Sequence, residues 1–214
     1  MGTLELGPTH HDVLTRRRAV HPAAKRMVDE QLFARGIRDT RVLAAMSALP
    51  RHMFMPVPVR DEAYRDYAVP IGFDQTISQP FVVGWMSEAL GLRGNERVLD
   101  VGTGSGYQAA VLGLLAREVY TIERHAVLAR RARWTLRALG IDNVHVFIGD
   151  GSVGLPDHAP FDAILVAAAA PEVPAQLVAQ LAPHGRLVVP VGRSATQSLR
   201  IIRRTDHGLT MTDA

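Results

Sequence analysis

Three acids and one hydroxyl are placed where this chain could do chemistry. Asp100 lies in the apolar run Val98-Leu99-Asp100-Val101, directly before the turn Gly102-Thr103-Gly104-Ser105-Gly106. Glu123 closes a β-rich run, Val119 to Glu123, 21 residues after Gly102. Asp150 follows a further run, Val144 to Ile148, within Ile148-Gly149-Asp150-Gly151, and Ser78 stands in Gln75-Thr76-Ile77-Ser78-Gln79-Pro80. Acids at the tips of successive strands around a glycine turn suit a nucleotide-like ligand. In an open α/β sheet ligands sit beyond the carboxyl ends of the strands, and an acid about 20 residues past the turn accepts hydrogen bonds from ribose hydroxyls. The glycines allow φ > 0 and close approach, because no Cβ intervenes.

The spacing narrows the ligand. A dinucleotide turn reads G-x-G-x-x-G, with a pyrophosphate on the following helix N-terminus. Here the glycines fall at 102, 104 and 106, and Tyr107 holds the place of the third glycine. The carboxylate of Asp100 suits a cationic, amine-bearing ligand. S-adenosylmethionine, with its sulfonium and α-amino groups, meets that demand better than a pyrophosphate does, and a NAD-dependent oxidoreductase is the weaker reading. Asp150 either faces an adenine amino group or is a plain turn aspartate. Glu123 has the alternative of a solvated strand-end glutamate.

The elements that must position these residues alternate. Strands are expected at 97–101, 118–123, 144–149, 161–167 and 186–191, and helices at 80–91, 106–117, 125–139 and 172–182. That order predicts an α/β fold with a doubly wound, mostly parallel sheet. Residues 1–80 read as an N-terminal helical addition with a substrate-side loop, 81–214 as the Rossmann-like core, and the two as one compact domain. Pro22 opens a helix that Ala23 to Ala34 continue and Gly36 stops, while Asp39 or Thr40 caps a second one through Leu49. Pro50, Pro56, Pro58 and Pro70 mark a long irregular connection. Ser198 to Ile202 with Asp206-His207-Gly208 predict a late strand and a tight turn, with the chain ending where a partner strand would begin.

The 214 residues are 47% hydrophobic and 21% charged, which excludes disorder for the whole chain and allows a full core. The absence of cysteine excludes disulfides and thiolate chemistry. Met1 to Leu14 shows no leader pattern, and no run approaches the roughly 18 apolar residues of a membrane span, so a cytoplasmic protein with no membrane partner is expected. A monomer is expected too. Arg16-Arg17-Arg18 and Arg130, Arg131, Arg133 and Arg137 raise a nucleic-acid reading. The second set reads better as the solvated face of a helix whose Leu128, Ala132, Leu136 and Leu139 face inward. No aromatic residues interleave with the arginines, as a single-strand binder would need, so no nucleic-acid partner is expected. The nine histidines lack metal-site spacing, so no metal is expected. His52 reads as packing, and Met53, Phe54 and Met55 as an apolar anchor rather than a substrate pocket.

The block Gln75 to Pro80 closely resembles the protein-L-isoaspartate O-methyltransferases. So do Met27 to Leu32, Arg35-Gly36-Ile37, Arg51 to Phe54, Pro70-Ile71-Gly72, Val98 to Gln108, Gly149-Asp150-Gly151, Ala168 to Glu172 and Val189 to Gly192, in one order from about residue 24 to 204. The T-I-S-x-P block is the most specific. The resemblance implies a class I, Rossmann-like S-adenosylmethionine-dependent methyltransferase. It implies protein repair by methyl transfer to the α-carboxylate of L-isoaspartyl residues in damaged proteins and peptides, leaving S-adenosylhomocysteine, with the ester then closing to a succinimide. It carries over Ser78 as the active-site hydroxyl and Gln75, Thr76, Ile77, Ser78, Gly102, Glu123, Asp150 and Gly151 as cofactor positions, to which the glycine turn adds Asp100, Gly104 and Gly106. The chemistry needs no base of shifted pKa. It needs placement, which can contribute roughly 7–11 kcal/mol. Ser78 and backbone N–H groups at the start of the 80–91 helix suit that task, although Ser78 also fits as an ordinary N-cap.

Three departures bear on activity. Asp74 stands where the family usually has glycine, Ala167 where it usually has threonine, and the family's closing strand with its Phe-Val-Pro block is expected to be missing after Ala214. Asp74 and the missing tail raise the alternative of a cofactor-binding homologue with impaired turnover; a methyltransferase for another substrate, such as a small molecule or RNA, is the other alternative, against which the T-I-S-Q-P block argues. Weaker cofactor affinity or a more open site is expected relative to longer relatives.

Overall fold

A computed structural model of the chain describes residues 20–168, 172–193 and 196–213. The basic run Arg16-Arg17-Arg18, His10-His11 and the Ala169-Ala170-Pro171 stretch lie outside the described residues.

Helix α1 (Pro22–Met27) opens on proline, with His21 Nδ1 accepting from the N–H of Ala23 at 3.2 Å. It does not run on as a regular helix to Ala34. It widens into a π-helical turn (Val28–Leu32), tightens into a 3₁₀ turn (Phe33–Arg35) and ends at Gly36 with φ 107. The wide turn brings Leu32 into the core and leaves Gln31 to donate through Nε2 to the carbonyl of Tyr64 at 2.8 Å. Helix α2 (Thr40–Ala48) is capped by Asp39, whose Oδ1 accepts from the N–H groups of Arg41 and Val42 at 2.8 and 3.3 Å.

The proline-rich connection holds two 3₁₀ turns, Arg51–Phe54 and Val57–Glu62, and then an unexpected hairpin. Strands β1 (Val69–Gly72) and β2 (Gln75–Ile77) pair antiparallel around Phe73-Asp74. Both turn residues have positive φ, 58 and 55, as a two-residue type I′ turn requires. A proline in β1 and no Asn-Gly at the turn hid this hairpin from the sequence pattern.

The alternating zone runs α3 (Pro80–Leu90), β3 (Arg97–Val101), α4 (Tyr107–Leu115), β4 (Glu118–Glu123), α5 (Ala126–Ala138), β5 (Val144–Ile148), β6 (Phe161–Val166), α6 (Ala175–Ala179), β7 (Leu181–Arg193), β8 (Thr196–Thr205) and β9 (Gly208–Asp213). The sheet order is β5-β4-β3-β6-β7-β8-β9. Strands β3 to β7 are parallel and the last two antiparallel. The order reverses between β3 and β6, the switch point where such sheets bind ligands. Side chains alternate along each central strand. Val98, Ala163, Leu165 and Val188 join a core shared with residues of α1 to α5, whereas Leu99, Val101, Ile164, Val166, Leu187 and Val189 face the other layer. Burial on both faces is what makes these strands read as continuous apolar runs.

Two expectations need correction. The helix expected at 172–182 is only Ala175–Ala179, because the chain is drawn into the sheet at Leu181, opposite Phe161. The carbonyl of Gln180 accepts from the N–H of Phe161 at 2.9 Å, fixing that entry. The tail also has its partner strand: β9 pairs with β8 from Gly208 opposite Thr205 to Asp213 opposite Arg200. None of the described helices is long and apolar enough to cross a membrane.

Candidate active site

The glycine turn leaves β3 and folds back over β4. The N–H groups of Gly102 and Thr103 donate to the carbonyl of Ile122 at 2.9 and 3.2 Å. Gly102, Gly104 and Gly106 all have positive φ, at 95, 52 and 88. A Cβ on Gly106 would lie 3.0 Å from the Cβ and 3.3 Å from the Cα of Ala132, so this glycine lets the turn pack on α5. Glu123 grips the turn from its outer side. Its Oε2 accepts from the N–H of Gly104 at 2.8 Å and its Oε1 from the N–H of His125 at 2.9 Å.

Asp100 lies one layer behind. It is 0% exposed, on the Val98 face of β3, and lines neither cavity of the site. Thr121 donates through Oγ1 to Asp100 Oδ2 at 2.7 Å, and the Thr121 and Thr103 hydroxyls meet at 2.6 Å. The relay ties the acid to the turn from below. Asp100 Oδ1 is buried without a hydrogen-bond partner among the described residues. Burial, reinforced by the Glu123 charge, pushes its carboxyl up to about 7, against the lowering effect of the Thr121 hydrogen bond.

Two cavities adjoin at the switch point and share Gln75, Gly102 and Ala168. The smaller, about 150 Å³, has Asp74, Gln75, Thr76, Ile77 and Ser78 on one wall and Gly102 to Ser105, Tyr107 and Gln108 on the other. Val83 and Ala167 also line it. The larger, about 320 Å³, runs past Glu123 to Asp150, Gly151 and Ser152. Asp150 Oδ1 accepts from the N–H and the hydroxyl of Ser152 at 2.9 and 2.8 Å. These bonds hold its carboxyl below the usual range and leave Oδ2 with no partner among the described residues. A Cβ on Gly151 would fall 2.6 Å from Val101 Cγ1, so only glycine lets this corner close on the strand end. Of the residues singled out by sequence, Gln75, Thr76, Ile77, Ser78, Gly102, Gly104, Glu123, Asp150 and Gly151 line this double cavity; Asp100 and Gly106 stand behind it.

Arg51 was absent from the expected site. Its side chain is 0% exposed. Nε donates to the carbonyl of Ala63 and Nη2 to the carbonyl of Ser78, both at 2.7 Å. The guanidinium lies 4.7 Å from the centre of the Tyr107 ring. Nη1 and the Tyr107 hydroxyl are buried without hydrogen-bond partners, and no carboxylate pairs with Arg51 among the described residues. Burial pushes the Tyr107 phenol up to about 12, so it stays neutral, and lowers the Arg51 guanidinium from its usual value. Nothing in the sequence marks this arginine for burial: it precedes His52 and the apolar run Met53-Phe54-Met55 as a surface arginine would.

Ser78 does not cap α3. The cap is Gln79, which makes no side-chain capping bond, and the Ser78 hydroxyl has no hydrogen-bond partner among the described residues. His52 packs as expected, its Nδ1 2.7 Å from the Tyr64 hydroxyl, with His21 stacked on the Tyr64 ring at 5.0 Å.

Residues 23–214 match the family described as protein-L-isoaspartate(D-aspartate) O-methyltransferase. A protein-L-isoaspartate O-methyltransferase of Synechococcus sp. (strain JA-2-3B'a(2-13)) is 56% identical over 191 residues, covering 86% of this chain and 78% of that one. One from Methanoregula boonei is 54% identical over 180 residues, covering 84% and 83%. Among solved structures, a protein from Plasmodium falciparum assigned as a beta-aspartate methyltransferase, in complex with S-adenosyl-L-homocysteine, superposes with a TM-score of 0.78 at 27% identity. That match covers 89% of this chain and 94% of the other.

Proposed function

The chain belongs to the protein-L-isoaspartate(D-aspartate) O-methyltransferase family, and from its cleft we propose how it moves a methyl group from S-adenosylmethionine to the α-carboxylate of L-isoaspartyl residues in damaged proteins. One observation carries the reading: Ser78 and the glycine turn line one and the same cavity.

The residues present fit the cofactor. The double cavity has acids at the Glu123 and Asp150 end and is walled by glycine where a side chain would intrude. When bound, S-adenosylmethionine supplies a methyl group already activated by the sulfonium. Glu123 is oriented by two backbone N–H groups, which leaves lone pairs on both oxygens for ribose hydroxyls. Asp150 Oδ2 is the free acceptor for an adenine amino group. Asp100 works at one remove, holding the turn through Thr121 and Thr103.

Ser78 and Arg51 serve the other reactant. The substrate carboxylate is ionised at neutral pH, so no proton has to be removed from it. The Ser78 hydroxyl, without a partner of its own among the described residues, donates to one carboxylate oxygen and leaves the second as the nucleophile. Arg51 is a positioning residue. It holds the Ser78 backbone by its carbonyl, and its charge, unpaired with any carboxylate among the described residues and buried behind Ser78 and Tyr107, favours an anion in the cavity those two residues line.

The test uses radiolabelled S-adenosylmethionine and two peptides that differ only in Asp or isoAsp. Base-labile label on the isoAsp peptide alone is the expected result. Cofactor binding without transfer would assign the chain to the impaired class, and label on another class of molecule would overturn the substrate assignment.

A further inference from the structure

A second, larger groove opens on the far side of the glycine turn. It encloses about 460 Å³ and shares only Gly104 and Ser105 with the reaction cavity. One wall is the segment Met53 to Val57 with Arg60, and the other is the α5 face carrying Arg130, Arg131 and Trp134. The sequence reading of Met53, Phe54 and Met55 as a plain anchor is therefore incomplete. Phe54 and Met55 are buried, yet all three line the groove.

Two features set this groove apart from ordinary surface. First, two large exposed apolar residues line it from different elements, Trp134 of α5 at 68% and Val57 of the second 3₁₀ turn at 71%. Second, its charge is of one sign. Three arginines line it, no acid does, and none of the three has a carboxylate partner among the described residues. Arg60 only donates to the carbonyl of Met55 at 3.3 Å. Elsewhere Arg97 and Arg200 sit beside Glu118 and Asp213. The spacing Arg130–Trp134 and Arg131–Thr135 is i to i+4, which stacks these side chains along one face of α5.

We propose that this groove is a docking site for the substrate polypeptide, taking an acidic and apolar stretch that flanks the isoaspartyl residue. The inference rests on the methyltransferase reading. The shared wall at Gly104 and Ser105 puts the two sites within a few residues of each other along an extended chain, at roughly 3.3 Å per residue. Trp134 and Val57 take the apolar side chains, and the arginines take the carboxylates. The groove thus supplies sequence preference to an active site that otherwise reads only a backbone lesion.

The test compares three isoAsp peptides of identical core: a short one without flanks, a long one with a Glu- and Phe-rich flank, and a long one with a Lys- and Ser-rich flank. With the native protein, KM for the acidic-apolar peptide falls about tenfold below that of the basic one, and the gap narrows with added salt. The double variant R130E/R131E abolishes or inverts the gap, and W134S reduces it, while kcat and KM on the short peptide stay unchanged. Tryptophan emission supplies a readout free of turnover: the Asp-containing twin of the acidic-apolar peptide shifts it in the native protein and not in W134S. Equal KM values for both long peptides, with the short one still methylated, would overturn the groove assignment and leave the methyltransferase reading intact. No transfer to any isoAsp peptide would overturn that reading instead. Native self-association that is lost in W134S, without any flank preference, would give the groove to a second copy and likewise overturn the proposal.

Discussion

The two walls of the reaction cavity are built by opposite rules. The glycine-turn wall is backed by the sheet, and its positive φ angles fall on glycine at 102, 104 and 106. Its acids are clamped, Glu123 by two N–H groups and Asp100 by the threonine relay. The hairpin wall stands away from the sheet, exposes Phe73 and Asp74, and puts positive φ on those two residues, which carry side chains. A two-stranded hairpin is marginal by itself. This one is anchored by Arg51, which reaches from beneath to the Ser78 carbonyl. The glycine-turn wall is thus held by many short backbone bonds, and the hairpin wall by the buried side chains of Val69, Ile71 and Ile77 together with one buried cation.

The largest effect should therefore come from Arg51. Arg51→Met leaves the Ala63 and Ser78 carbonyls without their donor, at an expected stability loss of about 3 kcal/mol in urea titration. Hydrogen exchange should speed up in β1 and β2 and stay slow in β3 and β4. Equal acceleration everywhere would mean that the hairpin has no separate anchor.

Next comes a pair of substitutions, one in each wall. Ser78→Ala should lower kcat on an isoAsp peptide about 100-fold by loosening carboxylate placement, while calorimetry finds cofactor affinity changed by less than about twofold. Glu123→Gln should do the reverse. Its amide nitrogen cannot accept from Gly104 or from a ribose hydroxyl, so the cofactor Kd rises about 30-fold, with kcat at saturating cofactor largely kept. If both variants lose affinity and turnover together, the walls do not divide the labour.

A smaller effect tests the clamp behind the glycine turn. The folded carboxyl of Asp100 is pushed up to about 7 from an ordinary value of 3.8. Between those values the folded chain holds a proton that the unfolded chain has lost. The stabilisation is fully present below about pH 4 and is lost as pH rises through about 7, with a slope of at most about 1.4 kcal/mol per unit. The thermal midpoint should accordingly fall by about 4 °C per pH unit across the upper part of that window. Asp100→Asn should remove the slope. An unchanged slope in the variant would place the titrating group elsewhere.

The same contrast explains what the sequence made legible. Strands β3, β4, β5 and β6 begin and end within a residue of their expected bounds, because burial on both faces leaves unbroken apolar runs. The hairpin stayed hidden, since its four-residue strand contains proline and its turn lacks glycine. Glu123, Asp150 and Ser78 could be singled out because strand ends and the T-I-S-x-P block mark the cavity edge. Asp100 looked like a ligand-facing acid and lies a layer deeper. A strand's period of two puts it on the face of Val98, yet only coordinates reveal that Thr121 fills the space between it and the turn. Arg51 could not be read as part of the site, because the 27 residues along the chain to Ser78 pass through two 3₁₀ turns and the hairpin that the sequence pattern did not show.

The smallest effect concerns Asp74, where conformation and charge can be separated. Its φ of 55 is the left-handed region, which costs a residue with a Cβ about 1 kcal/mol, less for aspartate than for most. Asp74→Gly removes that strain but enlarges the freedom of the unfolded chain by a comparable amount, so the thermal midpoint should move by less than about 2 °C. The charge is a separate matter. Asp74 lines the cavity proposed to receive the substrate carboxylate, and it is exposed, so repulsion is weakened by water and salt. Asp74→Gly should lower KM for an isoAsp peptide about threefold at low salt, and less at high salt. Asp74→Asn, which tolerates the same backbone, should lower it equally. A gain in glycine that asparagine does not share would make the turn's shape, and not its charge, the feature that weakens the substrate wall.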